Sequence, residues 1–213
     1  MTFRKRGRPP EDRLARRNEI FAAVSPLILE RGARGVTMRE AAYAASMSVG
    51  ALYYYFPTKR DLLLHGLDSE AIAQHCRNVD ALIGHLERQD PRQFFERLTE
   101  SFIDGVMMSQ PSMQAAIELG AGELQPALNQ VRANLSTSES ALANALRRAV
   151  PGLDESQVAA TVRAARRIIL GALVDASVTA EELRSALQAL FFALPLHEPV
   201  EAGTGSRHSQ LST

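Results

Sequence analysis

Cysteine is almost absent from this 213-residue chain, and a single Cys76 cannot close an intrachain disulfide. Tryptophan is missing altogether, and tyrosine occurs only four times, yet three of those four, Tyr53, Tyr54 and Tyr55, stand side by side. No stretch approaches the roughly 18 apolar residues that span a bilayer. The opening "MTFRKRGRPP" also lacks the apolar run and small-residue cleavage site of a secretory signal. No membrane partner is therefore expected, and the predicted location is the cytoplasm. Runs of alternating β-branched residues are missing as well, which argues against a sheet.

The net charge is zero, a value that by itself speaks against a polyanionic partner. It conceals an asymmetry. Residues 1–60 hold 12 Lys plus Arg against 5 Asp plus Glu, and the remainder holds 12 against 19. A basic first segment joined to an acidic remainder predicts that the first segment meets a polyanion while the rest serves another purpose. Chance clustering of solvated charges is the competing reading.

Helix signals recur along the whole chain, so the expected fold class is all-α. Leu14, Ile20, Phe21, Val24, Leu27 and Ile28 fall mostly three or four apart, with Gly32 placed to end their helix. Thr37 followed by Glu40 has the capping-box form, in which the hydroxyl accepts from a first-turn N–H and the carboxylate reaches back. The same spacing recurs at Thr58 with Asp61, Asp90 with Gln93, Asp154 with Gln157, and Thr179 with Glu182. Ile72, Cys76, Val79, Ile83 and Leu86 suggest one longer helix, and Phe95, Leu98, Phe102 and Val106 another. A short piece from Met113 to Leu119 should follow Pro111 and end near Gly120 and Gly122, and a long helix should close at Pro151. The expected organisation is a basic helical unit over 1–60, a larger helical unit over 61–195, and a tail over 196–213 without a periodic face.

Two short helices separated by "SMS" at the end of a basic segment fit a helix-turn-helix, with Thr37 to Ser46 first and Ser48 to Phe56 second. On a wheel of about 100° per residue, Leu52, Phe56 and Val49 share one face. Tyr54 lies opposite, beside Gly50 and Ala51, while Tyr53 and Tyr55 flank the buried stripe. Tyrosine suits such edges, because its ring packs while its hydroxyl reaches a phosphate oxygen. Gly50 removes a side chain where the helix must approach a duplex. A buried aromatic cluster without a ligand is the alternative. The candidate contacts here are Ser48, Val49, Gly50, Ala51, Tyr53, Tyr54 and Tyr55.

The stretch from Thr37 to Leu62, "TMREAAYAASMSVGALYYYFPTKRDL", closely resembles the DNA-binding signature of TetR-family transcriptional regulators. In departure from that signature, Ala41 replaces a larger aliphatic residue, Ser46 the turn glycine, Met47 valine, and Tyr55 a frequent histidine. The resemblance implies that Thr37, Tyr53 and Lys59 bind phosphate. It also implies that Arg39 reads a base, for which a bidentate contact with guanine is available. Val49, Gly50, Ala51 and Tyr54 would then face the major groove. It further implies a homodimer on a double-stranded DNA operator, most simply a repressor, and a small-molecule effector held between helices of the larger unit.

Ahead of the first helix, Arg4, Lys5, Arg6 and Arg8 form an arm that could enter a minor groove, or simply a solvated tail. Phe94, Phe102, Met107, Met108 and Met113 are candidate walls of an effector pocket, although such stripes also build plain cores. Small residues at 159, 160, 164, 165, 171, 172 and 176, with Leu183, Leu187, Leu190 and Phe191, form a face for a second copy or for burial within one subunit. His65, His75, Cys76 and His85 sit at spacings that do not converge, so no metal is expected. Walker-type, dinucleotide-type and nucleophile-elbow motifs are absent, and neither an enzymatic role nor a cofactor is expected. Two rival readings remain: a DNA-binding protein of this fold without an effector, and a small-molecule-binding helical protein without a DNA role.

Overall fold

The computed structural model describes residues 12–68, 70, 75, 77–79, 81–82 and 90–195. Every regular element among them is helical: α1 Arg13–Gly35, α2 Met38–Ala44, α3 Val49–Tyr55, α4 Lys59–Leu63, a 3-10 turn His65–Leu67, α5 Pro91–Leu119, α6 Ala121–Ala149, α7 Glu155–Val174 and α8 Ala180–Phe192. The basic arm of Arg4, Lys5, Arg6 and Arg8 lies outside the described residues, as do Ile72, Cys76, Ile83 and Leu86 of the predicted longer helix.

The local signals fix the helix starts. Thr37, Thr58, Asp154 and Thr179 each close a complete capping box with the residue three positions on. At Asp90 the box is not made: the carboxylate accepts from Arg92 N, and Pro91 occupies the first turn. The regular part of α1 stops at Gly32, whose φ of 70° is the left-handed value that glycine tolerates. A final turn at 33–35 follows it.

Two sequence expectations about breaks are corrected. Pro111 does not separate two helices, because α5 runs through it to Leu119. A proline inside a helix forfeits one hydrogen bond and crowds the preceding turn. Here Pro111, Ser112 and Met113 are all buried, and packing on this side of α5 offsets the loss. The 3-10 turn docks there through Gly66, whose N–H donates to Ser112 Oγ (2.9 Å) and whose carbonyl accepts from Ser109 Oγ (2.9 Å). A Cβ on Gly66 would stand 2.2 Å from the Met108 carbonyl oxygen, so only glycine permits this approach. Gly122, likewise, is not a terminator. The corner is made by Gly120 alone (φ 98°), and α6 begins at once and carries Pro126 in its own second turn.

Among the described residues, three apolar cores result. The N-terminal one joins Ile20, Phe21, Val24, Ile28, Leu52 and Phe56 with Leu62 and Leu63. It therefore continues a few residues past position 60 and also takes in Ala115 of α5. The largest core gathers Phe94, Phe95, Phe102, Leu146 and Phe191 among α5 to α8. A third, between them, contains Leu67, Met113, Val131 and Leu173. α5 contributes to all three and is the beam on which the N-terminal unit rests.

Candidate nucleic-acid interface and adjoining pocket

α2 is thin where α3 crosses it, since Ala41 and Ala42 are fully buried. At its start the Thr37 hydroxyl accepts from Glu40 N (3.2 Å) and lies 2.7 Å from Glu40 Oε2, to which it donates. Arg31 pairs with the other carboxylate oxygen at 2.7 Å. The Thr37 bonds and the nearby Arg31 hold the Glu40 carboxyl below its ordinary pKa. Thr37 can therefore donate to a phosphate only by giving up its bond to Glu40. Arg39 is exposed on the outer side of the same helix. The connecting turn places Ser46 at φ 52°, in the left-handed region, so serine here adopts the conformation usual for glycine.

In α3, Ser48 caps the helix by accepting from Ala51 N at 3.1 Å. Leu52 and Phe56 are wholly buried, Tyr53 is 47% exposed and Tyr54 67%, while Val49, Ala51 and Tyr55 are half-buried. The wheel reading of the three tyrosines is thus what the fold displays. Gly50 faces open space, with nothing within 4 Å of where a Cβ would stand. Arg13 braces the helix from α1: its guanidinium lies 5.5 Å from the Tyr54 ring centroid and donates to the Tyr54 carbonyl at 3.2 Å. Lys59 begins α4 and donates to the Arg34 carbonyl at 3.3 Å, which leaves it two further donors.

Behind this unit lies a cavity of about 90 Å³ that opens to the surface. Its walls are Leu67 of the 3-10 turn, His75, Phe102, Gly105, Val106, Met108 and Ser109 of α5, Val131, Leu135 and Ser138 of α6, and Ile169 and Leu173 of α7. Of the five predicted pocket residues, Phe102 and Met108 line it. Phe94 lies eight residues before Phe102, about 12 Å along the helix, and packs edge-on to Phe95 in the main core. Met107 points to the other side of α5, against that same core, and Met113 fills the third core.

The predicted dimer face is also narrower than its sequence pattern. Ala165, Ala172, Leu183, Leu187 and Phe191 are buried within the subunit. The outward side of α7 keeps Ala160, Gly171 and the 49% exposed Val174. A groove beside α8 is lined there by Ile168, Gly171, Val174, Val178 and Ala186.

Residues 20–65 match the sequence profile of the bacterial regulatory proteins of the tetR family. Over that segment the chain is similar to the TetR family. It is 32% identical over 77 residues to the HTH-type transcriptional repressor KstR2 of Mycobacterium tuberculosis, a match spanning 35% of this chain and 38% of that repressor. Among solved structures it resembles the TetR-family transcriptional regulator PfmR of Thermus thermophilus (18% identity, TM-score 0.51, 81% of this chain and 97% of that one). A TetR transcriptional regulator of Legionella pneumophila is similar at 16% identity and TM-score 0.53, over 83% and 95% of the two chains. At such identities the structural likeness speaks for the fold.

Two features of this chain escaped the sequence reading. Tyr43 is 87% exposed and stands one helical turn after Arg39 on the outer side of α2. That spacing of four was the available signal. Gly105 interrupts a helical pattern, and the His75 imidazole fills the space where its side chain would be, with a built Cβ only 2.6 Å from Nε2. An isolated glycine inside a helix was the clue to that close approach.

Proposed function

We propose that this protein is a DNA-binding transcriptional regulator, a repressor, that binds a palindromic operator as a homodimer and is released by a small molecule. The observation that carries the reading is the outward side of α3. It presents Gly50, Tyr53 and Tyr54 to open space on a helix whose Leu52 and Phe56 lock it to the unit behind. Arg39 and Tyr43 extend that surface onto α2, and Lys59 ends it with an ammonium group. α3 carries no Arg, Asn or Gln, so readout rests on Arg39, on apolar contact with thymine methyls and on duplex shape.

The groove beside α7 and α8 is the surface for a second copy, and two-fold pairing would set the two recognition helices about 34 Å apart. Residues 61–195 serve as the effector-binding and dimerising unit. The cavity supports release by an effector, since its wall includes Leu67, which belongs to the turn between α4 and the rest of the chain. A ligand that prefers one arrangement of that wall shifts the dimer away from its DNA-competent spacing.

The test is binding to a duplex selected by the unmodified protein from a random pool. Lys59→Ala should weaken binding to selected and unrelated duplexes alike and make the slope of log affinity against log salt shallower by about one for each phosphate no longer neutralised. Tyr53→Phe should lower affinity with little change in thermal stability. If both variants keep the wild-type affinity and slope, α3 and α4 do not form the DNA surface.

A further inference from the structure

The cavity's chemistry narrows what it can hold. Among the described residues that line it there is no Asp, Glu, Lys or Arg. Its polar groups are the His75 imidazole and the hydroxyls of Ser109 and Ser138. Ser109 already donates to the Gly66 carbonyl at 2.9 Å, so its proton is engaged. An ion taken into such a wall would leave water without a countercharge, a large cost. His75 lies in the notch left by Gly105 and closes one side of the cavity.

We propose, on the reading of this cavity as the effector pocket, that it selects a small, uncharged, mainly apolar molecule carrying one hydroxyl or carbonyl, and that His75 is the residue that hydrogen-bonds that group. Burial lowers the pKa of the imidazole, against an opposing pull from Asp104, so that near neutral pH the ring offers one N–H and one lone pair. Such a ring can donate to a carbonyl or accept from a hydroxyl. A cavity of about 150 Å³ admits benzene. The 90 Å³ here suits a shorter chain, and the bulk of any larger ligand would lie in the mouth.

Four probes on one carbon skeleton test this: 1-butanol, 1-chlorobutane, butyrate and butylammonium, titrated into full-length protein whose methionine methyl groups are carbon-13 labelled. Met108 lines the cavity while Met38 and Met47 belong to the N-terminal unit, so the spectrum reports where each probe goes. The expected result is saturable movement of the Met108 methyl with millimolar 1-butanol and at least tenfold weaker binding of both ions. His75→Phe should weaken 1-butanol several-fold and leave 1-chlorobutane unchanged. Butyrate or butylammonium binding as well as the alcohol overturns the proposal, as does an unchanged alcohol affinity in a folded His75→Phe. If that variant does not fold, the ranking of the four probes on the unmodified protein still decides. Duplex binding measured on the same samples bears on the regulator reading alone, so the two ideas fail separately.

Discussion

Gly50→Ala should make the free protein more stable and a worse DNA binder. Glycine inside a helix is less favourable than alanine by about 0.5–1 kcal/mol, because the flexible backbone loses more freedom on folding. Gly50 is the second residue of α3, and nothing lies within 4 Å of the position its Cβ would take. The new methyl therefore meets no protein atom, and the helical gain of about 0.5 kcal/mol should appear undiminished. For a chain of this size the melting temperature should rise by roughly 1–2 °C. With α3 in the groove as proposed, the same methyl would stand on the outward side of the helix, one turn before Tyr54. Holding that helix away from the base edges should lower affinity for the selected duplex at least tenfold. The salt slope should not change, since every phosphate partner is kept. Denaturant melts and fluorescence anisotropy at two salt concentrations measure both effects on one preparation. A stabilised variant that binds the selected duplex as tightly as the parent would refute the close approach of α3 to DNA.

Ser46→Gly should stabilise the N-terminal unit by about 1 kcal/mol, read from denaturant midpoints, because a serine at φ 52° bears a strain that glycine does not. His65 should make the protein acid-sensitive: burial, with Arg17 adding to it and Asp68 opposing, lowers its pKa from 6.5 to about 4, and Nδ1 is buried without a hydrogen-bond partner. With its folded pKa below its unfolded one, the stability it confers is present above pH 6.5 and is lost as the pH falls toward 4, by about 3 kcal/mol in all; His65→Leu should flatten that slope between pH 6.5 and 5, whatever its absolute stability. Gly171→Arg, on the exposed side of α7, should convert the proposed dimer to monomer in sedimentation while far-ultraviolet circular dichroism stays unchanged; a dimer that persists would place the two-fold contact elsewhere.

What could be read in the sequence was what neighbours along the chain decide. Four capping boxes, at Thr37, Thr58, Asp154 and Thr179, formed as their three-residue spacing required, because both partners lie within one helical turn. The inward side of α3 was legible for the same reason. Pro111 misled because its local cost is real and only the burial around it, supplied partly by Gly66 from 45 positions upstream, shows why the helix continues. The cavity was hidden in a similar way. Phe102, Val131 and Leu173 come from three helices, and apolar spacing alone does not separate a wall residue such as Met108 from a core residue such as Met113. Ala172 likewise carries the signature of a close helix contact, but that contact lies within the subunit.

The cavity and the proposed DNA surface occupy different units, yet a short set of contacts joins them. The α5–α6 corner grips the N-terminal unit twice. Before Gly120, the Glu118 carboxylate accepts from Ala33 N at 2.7 Å, and its carbonyl accepts from Arg34. After it, Glu123 takes both arms of the Arg60 guanidinium at 2.6 Å each. Lys59 then donates to the Arg34 carbonyl, so the ammonium proposed to hold phosphate is tied through Arg34 to the end of α5. The Arg60 side chain is 57% exposed, and pairs of that kind contribute about 1 kcal/mol or less. Their effect is positional. A coupling of about 1–3 kcal/mol between two sites is enough for a useful switch. Under the proposed effector response, a ligand whose preference for one wall geometry is of the same size would exchange such contacts, while the fully buried Leu52 and Phe56 hold α3 to its own unit.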